Sequence, residues 1–267
     1  MKRFTFGTPE KLVPSYYCKG FSYVGTPVSY PESRFEARMT PRGFLIEFPI
    51  EDDAHIYGFG LQLKQFDQRG RKLRLAVNAD PASANGDSHA PVPFFVTNKG
   101  YGMYFDTARY VEVYCGYKKH TGAVKADKGE SRVMTSTDEL YAVRESCGAV
   151  MSVLIPGAQG VDVYVFEGKK ITDIVSEYNM LSGGGADVPE WGLGVFYRCC
   201  GQYNQEQVLG MADYFRSHDL PCDILGLEPG WQSHAYSCSW VWSERFPEPE
   251  KMLRKLRGDG FHVSLWE

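Results

Sequence analysis

The sequence pattern changes once along the chain, at the three consecutive glycines 183–185. Before them, short segments rich in β-branched and aromatic residues alternate with Gly, Pro, Asn and Asp, as in antiparallel strands joined by turns. After them, apolar runs of strand length alternate with segments of helical periodicity, as in parallel strands joined by helices. A single fold class cannot describe the whole chain, so we expect two domains, residues 1–186 and 187–267.

The first part is expected to form an antiparallel β-sandwich. Its last segment is instead predicted to be helical, because Ile171, Ile174 and Tyr178 recur at helical spacing before the glycines, which can end a helix. Segments with this pattern include 43–48, 101–106, 110–115, 133–143, 152–155 and 161–166.

The second part alternates three strands with two helices. Asn204 and Gln207 match a capping box at the start of the first helix, and Pro249 lies near the first turn of the second. Parallel strands joined by right-handed crossovers end at one edge, which carries the ligand in α/β folds. Three strands cannot close an eight-stranded barrel, so the alternatives are a small open sheet or a piece of a longer chain. The predicted strands are 191–197, 222–227 and 261–266, and the second helix is 247–257.

Glu228 ends the second of these strands, directly before Pro229 and Gly230, which do not continue a strand. An aromatic segment without helical or alternating periodicity follows. Such a composition favours a packed binding loop over disorder, with a carboxylate delivered at its start. The alternative is a loop that only covers the next helix. The aromatic and imidazole residues of this loop are Trp231, His234, Tyr236, Trp240, Trp242 and Phe246.

The composition limits the partners of this chain. Its 267 residues are 43% hydrophobic, with a formal net charge of -4 and no Lys/Arg stripe, which argues against a nucleic-acid partner. No window reaches the ~18 apolar residues of a membrane span, and the N-terminus lacks the apolar core of a signal peptide, so we expect no membrane partner and a cytoplasmic location. Seven cysteines without a C-x-x-C pair indicate reduced thiols, and no metal or organic cofactor is implied.

The chain carries several short motifs over most of its length. The later ones are Pro189-Glu-Trp-Gly-Leu-Gly194, Tyr203, Phe215-Arg216, Leu220-Pro-Cys-Asp223, Phe246-Pro247 and Gly260-Phe-His-Val263. In this order they resemble the opening of the catalytic barrel of glycoside hydrolase family 31. The earlier motifs are similar to landmarks of its N-terminal sandwich: Ile56-Tyr-Gly-Phe-Gly60, Arg69-Gly70, Asn78-Ala-Asp80, Pro93-Phe-Phe95 and Gly100-Tyr-Gly-Met-Tyr-Phe-Asp106.

The resemblance implies an α+β two-domain chain: a galactose-mutarotase-like antiparallel β-sandwich followed by a partial TIM (β/α)8 barrel. It also implies a retaining α-glycosidase or transglycosylase acting on an α-linked sugar, with one carboxylate as nucleophile and another as acid and then base. In the family, the nucleophilic aspartate follows the fourth barrel strand and the acid/base aspartate comes later. Neither catalytic residue is therefore expected within residues 1–267, and this chain is expected to be an N-terminal fragment that is inactive alone.

Three residues are predicted to bind substrate. By resemblance, Glu228 aligns with a second-strand aspartate that hydrogen-bonds sugar hydroxyls, and Asp80 aligns with an aspartate that a sandwich loop extends into the sugar pocket. Trp231 belongs to the aromatic loop. For Asp80 the alternative is an Asx turn before Pro81. We reject Glu228 and Glu267 as a catalytic pair, because a terminal residue has no ordered neighbours to set its pKa.

Two departures from the family's pattern remain. Glu228 is one methylene longer than the usual aspartate, so we expect a substrate other than ordinary α-glucosides, such as an α-galactoside or an N-acetylated sugar. Cys199-Cys200-Gly201 has no role that the sequence suggests. Alternative functions are a non-catalytic carbohydrate-binding module and a scaffold protein without a ligand.

Overall fold

A computed structural model describes residues 1–11, 24–81, 83–120, 137–141, 146–236 and 238–267. The chain forms two compact units, Met1–Gly185 and Ala186–Glu267. The boundary lies one residue before the one expected from the sequence pattern. No helix within the described ranges is both long and apolar enough to cross a membrane.

The first unit is an antiparallel β-sandwich, as the sequence predicts. Its strands are β1 (Lys2–Gly7), β2 (Glu36–Thr40), β3 (Gly43–Ile50), β4 (Ile56–Gly60), β5 (Lys72–Leu75), β6 (Pro91–Thr97), β7 (Tyr101–Asp106), β8 (Val111–His120), β9 (Ser146–Pro156) and β10 (Gly160–Glu167). Among the described residues they form two five-stranded sheets, ordered β1-β10-β7-β6-β4 and β2-β3-β9-β8-β5.

The core lies between the two sheets because side chains alternate along the strands. In β9, Met151 and Val153 are fully buried, while Ser152 between them is on the other face. The first sheet is covered on its second face too, by helix α2 (Ile171–Leu181), whose Tyr178 stacks on Phe94 at 3.9 Å between ring centroids.

Helix α2 approaches its sheet most closely at Gly102 of β7. A Cβ at this position would lie 2.7 Å from Cγ2 of Ile174 and 2.7 Å from the carbonyl oxygen of Phe95. Only glycine leaves room for this packing, since neither the backbone nor the buried helix can move aside cheaply. The helix ends where expected, and the amide of Gly184 donates to the carbonyl oxygen of Asn179.

The sequence pattern misses several strands of this unit and misassigns one segment. The missed strands are β1, β2, β4, β5 and β6. In β5, Lys72 and Arg74 point outward and Leu73 and Leu75 are buried, an alternation too short to recognise in the sequence. The predicted strand at 133–143 is wrong where it is described, because Thr137–Tyr141 forms the short helix α1; the rest of that segment lies outside the described residues.

The second unit is a parallel three-stranded sheet with helices on one face. Strands β11 (Phe196–Cys199), β12 (Ile224–Leu227) and β13 (His262–Leu265) pair in this order. Helices α3 (Gln205–Ser217) and α4 (Pro249–Gly258) connect them and bury Val208, Ala212, Met252 and Leu256 against the sheet. The alternation of strands and helices and the parallel pairing agree with the predicted start of a TIM barrel.

The capping box of α3 forms as predicted. The side chain of Asn204 accepts from the Gln207 amide at 2.9 Å, and the Gln207 side chain accepts from the Asn204 amide at 2.9 Å. The predicted strand at 191–197 is displaced, because Glu190–Leu193 is a 3-10 turn and β11 begins only at Phe196. The Gly194 amide donates to the carbonyl oxygen of Trp191, closing that turn before the strand starts.

Candidate functional site

Three side chains converge where the parallel strands of the second unit end. They are Arg198 on β11, Glu228 directly after β12 and Trp266 directly after β13. Neighbouring strand residues such as Cys199 and Leu227 pack against the helices. Because side chains alternate along a strand, Arg198, Glu228 and Trp266 lie on the opposite face of the sheet.

Arg198 and Glu228 form a two-bond ion pair. The Arg198 Nε donates to Oε1 of Glu228, and Nη2 donates to Oε2 at 2.7 Å. The residue opposite Arg198 on β12 is Gly226, and the ring of Phe196 fills the space that a side chain at this position would need. Hydrogen bonding from the guanidinium lowers the pKa of the Glu228 carboxyl, which therefore stays ionised at neutral pH.

The exposure of this pair is asymmetric. The Glu228 side chain is 16% exposed, whereas the Arg198 side chain is 61% exposed. The guanidinium carbon of Arg198 lies over the ring of Trp266, 4.6 Å from its centroid. Within residues 186–267 the cation is therefore the more accessible of the two, and both lie on the face that lines the interior of a TIM barrel.

Trp231 is a core residue in this structure. Its side chain is almost completely buried, its ring packs 4.9 Å from that of Trp242, and its indole N–H donates to the carbonyl oxygen of Trp266 at 2.9 Å. A buried ring offers no face to a sugar, so this position does not support the predicted substrate contact. The indole instead connects the loop after β12 to the end of β13.

The aromatic loop divides into a packed side and an exposed side. Trp231, Trp242 and Phe246 form the packed side. Tyr236 and Trp240 are exposed and have positive φ angles of 52° and 55°. Bulky residues rarely adopt this backbone conformation, which costs free energy and occurs preferentially at functional sites.

The loop is held in shape by polar contacts of its own. The Gln232 side chain accepts from the Trp240 amide at 3.1 Å, and the Ser233 amide donates to the carbonyl oxygen of Val241 at 2.8 Å. The cavity beside Glu228 measures only about 10 Å³ and is lined by residues that include Cys199 and Tyr203. This volume suits at most one water molecule.

Asp80 lies in the first unit, in the turn that precedes Pro81. The side chain of Asn78 accepts from the Asp80 amide at 3.0 Å, so an Asx turn is present, but Asn78 and not Asp80 closes it. The Asp80 carboxylate is exposed and has no hydrogen bond or ion pair among the described residues. It is accessible to a ligand, and its role in sugar binding stays a prediction.

Arg198 is the residue that sequence reasoning misses. It lies in no motif of the family resemblance, and the prediction of a strand at 191–197 ends before it. The available signal is alternation: in β11, Tyr197 and Cys199 face the helices, so a charged residue between them has to face the other side.

Two family models match the chain. The glycosyl hydrolase family 31 TIM-barrel domain matches residues 186–267, and the N-terminal galactose mutarotase-like domain of the same family matches residues 29–113. The chain belongs to glycoside hydrolase family 31. The resemblance stated from the sequence motifs is confirmed, as is the combination of a mutarotase-like sandwich with the start of a TIM barrel.

Curated relatives match most of this chain with a small part of their own length. An alpha-xylosidase, XylQ of Lactiplantibacillus pentosus, is 24% identical over 217 residues, which are 80% of this chain and 24% of that protein. An alpha-xylosidase of Emericella nidulans is 22% identical over 98% of this chain and 31% of its own length. The chain thus spans about a quarter to a third of these relatives.

Solved family 31 structures show the same fold. A dextranase of Flavobacterium johnsoniae complexed with glucose superposes with a TM-score of 0.63 at 21% sequence identity, covering 88% of this chain and 25% of that one. An alpha-xylosidase from a soil metagenome, complexed with xylose, superposes with a TM-score of 0.62 and 18% identity, covering 87% of this chain and 29% of its own.

Proposed function

We propose that the protein to which these residues belong is a retaining α-glycosidase acting on an α-linked sugar. Membership of family 31 supports this proposal, and similar proteins include alpha-xylosidases and an alpha-glucosidase. The observation that carries it is the edge of the parallel sheet, where Arg198, Glu228 and Trp266 meet at the end that holds the active site in TIM barrels.

The nucleophile and the acid/base are, in this proposal, supplied by sequence outside residues 1–267. Glu228 is poorly suited to either role. Its lowered pKa leaves no proton to donate at neutral pH, and its two hydrogen bonds to Arg198 stabilise the carboxylate and weaken it as a nucleophile. The small part of each relative that this chain covers is consistent with catalytic residues elsewhere.

The substrate in this proposal differs from an ordinary α-glucoside. The glutamate at 228 extends one methylene further than the aspartate of the family's pattern, and Arg198 occupies its carboxylate. An α-galactoside, an N-acetylated sugar or another modified glycoside is the expected class.

The test is hydrolysis of aryl α-glycosides by protein from the complete reading frame that contains these residues. We expect turnover with initial release of the α-anomer, followed by NMR, and no turnover by residues 1–267 alone. Glu228→Asp is expected to change the ratio of activities on α-galactosides and α-glucosides roughly fivefold, equivalent to about 1 kcal/mol for one displaced hydrogen bond.

Three outcomes contradict parts of this proposal. Release of the β-anomer would exclude the retaining mechanism. Turnover by residues 1–267 would place catalytic groups inside them. Sugar binding without hydrolysis by the complete protein would favour a carbohydrate-binding module.

A further inference from the structure

The Arg198 guanidinium has donors that Glu228 does not use. Glu228 accepts from Nε and from Nη2, and the described residues place no acceptor on Nη1. An arginine carries more N–H donors than one carboxylate can accept, and its planar fork keeps the unused ones aimed in a fixed direction. The Nη1 donors of Arg198 are therefore available at the end of the sheet.

The position of this donor edge, the Nη1 side of the guanidinium, is held by two neighbours. Glu228 accepts two hydrogen bonds from one edge of the guanidinium. The Trp266 ring covers one face, with its centroid 4.6 Å from the guanidinium carbon. A side chain fixed in this way loses little further freedom when a ligand binds, which favours recognition. A guanidinium keeps its protons in a folded protein, and the bonds to Glu228 raise the pKa of Arg198 further.

The hydrogen bonding of the pair decides which partner can meet a ligand. Both carboxylate oxygens of Glu228 accept from Arg198, whereas Nη1 of Arg198 has no acceptor among the described residues. We propose that Arg198 is the specificity-determining residue at this edge, donating from Nη1 to a carbonyl or carboxylate oxygen on a substituent of the sugar, and that Glu228 is a positioning residue. This inference rests on the proposed α-glycosidase function. It changes the role expected for position 228, because the group that contacts the sugar is the Arg198 donor and not the Glu228 acceptor.

The chemistry of the ligand follows from the donor edge. A hydroxyl accepts one weak bond from a guanidinium, whereas an sp² oxygen of an acetamido group or a carboxylate lies in the plane that the N–H bonds favour. Removing the donor should therefore cost more with a substituted sugar than with its parent hydroxyl sugar.

The experiment compares three aryl α-glycosides of one hexose series: the parent sugar, its 2-acetamido derivative and its uronic acid. The protein is expressed from the complete reading frame. Arg198→Met keeps the length of the side chain and removes the donors, and we expect it to lower kcat/KM for one or both substituted sugars about 10- to 100-fold relative to the parent. Arg198→Lys should restore part of the loss for the uronic acid only. The acetamido and uronic acid arms show which oxygen is recognised.

A matched control is Arg254→Met, an exposed arginine on α4 that pairs with Glu250 at 3.6 Å and should leave all three rates unchanged. Thermal unfolding of each variant separates loss of recognition from loss of folding. The positioning role of Glu228 is read from a double-mutant cycle: Glu228→Gln should weaken discrimination in the unaltered protein and have no further effect in the Arg198→Met background.

The inference is overturned if Arg198→Met changes the substrate ratios by less than about threefold, or if Glu228→Gln still alters them when Arg198 is absent. Failure of the proposed function is a separate outcome: the unaltered protein then hydrolyses none of the three glycosides. In that case, saturable quenching of tryptophan emission by the free acetamido sugar and uronic acid, lost in Arg198→Met, would still support the donor edge, and its absence would refute it.

Discussion

Two adjacent cysteines at the end of β11 have different environments. Cys199 is buried against the helices, and Cys200 is exposed. Burial raises the pKa of the Cys199 thiol to about 11. The thiolate is the reactive form, so the two cysteines should differ in reactivity although no disulfide or metal involves either of them among the described residues.

We predict that iodoacetamide at pH 8 alkylates Cys200 at least ~100-fold faster than Cys199, because only roughly one Cys199 thiol in a thousand is ionised there and the site is closed. Peptide mass spectrometry over a time course measures both rates. Cys115, which is buried in the sandwich with a raised pKa, provides an internal reference for a protected thiol. Equal rates at 199 and 200 would show that the end of β11 opens readily.

Single residues also show where sequence reasoning succeeds. Glu228 lies at the strand end where the apolar run and Pro229 place it. Its pairing with Arg198 could not be predicted from the sequence, because the two residues are 30 positions apart and only the pairing of β11 with β12 brings them together.

The effect of replacing a glycine depends on how closely a neighbouring helix or strand packs against it. Gly102 of β7 lies under helix α2, whereas Gly210 lies on the exposed side of α3, where a Cβ would meet nothing within 4 Å beyond its chain neighbours and the helix's own backbone. The same substitution should therefore have opposite effects at the two sites.

We predict that Gly102→Ala destabilises the protein by about 1–3 kcal/mol, because the added methyl overpacks against Ile174 and the backbone of β6. Gly210→Ala, the control, should stabilise it by about 0.5–1 kcal/mol through helix propensity. Urea unfolding followed by circular dichroism measures both changes. A neutral Gly102→Ala would mean that α2 moves away from its sheet at little cost.

Element prediction succeeds where a pattern is long enough to repeat. Helix α2 and the capping box of α3 are recognisable because helical spacing recurs over several turns or because two named residues satisfy each other. Strand β5 is missed because four residues show only one repeat of the alternation. The sequence pattern misses the 3-10 turn at Glu190–Leu193 because its apolar residues resemble those of a strand. Only the backbone hydrogen bonds of the folded chain distinguish the turn from a strand.

The whole molecule consists of two units with separate cores. The sandwich core is formed by residues of the first unit alone, and the core of the second unit by residues of the three strands, two helices and aromatic loop. A unit that buries its own apolar surface can fold by itself.

We therefore predict that residues 1–185, expressed alone, give the circular dichroism of a β-protein and a cooperative thermal transition. Residues 1–267 serve as the reference for that transition. A non-cooperative or absent transition in the shorter chain would show that the sandwich depends on residues 186–267.

By itself the sequence determined the division into two units, the strand and helix alternation of the second, the membership of family 31 and the place of Glu228 at a strand end. These properties follow from local periodicity, turn residues and ordered motifs, which neighbouring positions carry. Only the tertiary structure decided that Arg198 pairs with Glu228, that Trp231 is buried and that Trp266 covers the guanidinium. Those contacts depend on strand pairing and side-chain packing between distant residues, and burial is a property of the assembled unit that no single segment encodes.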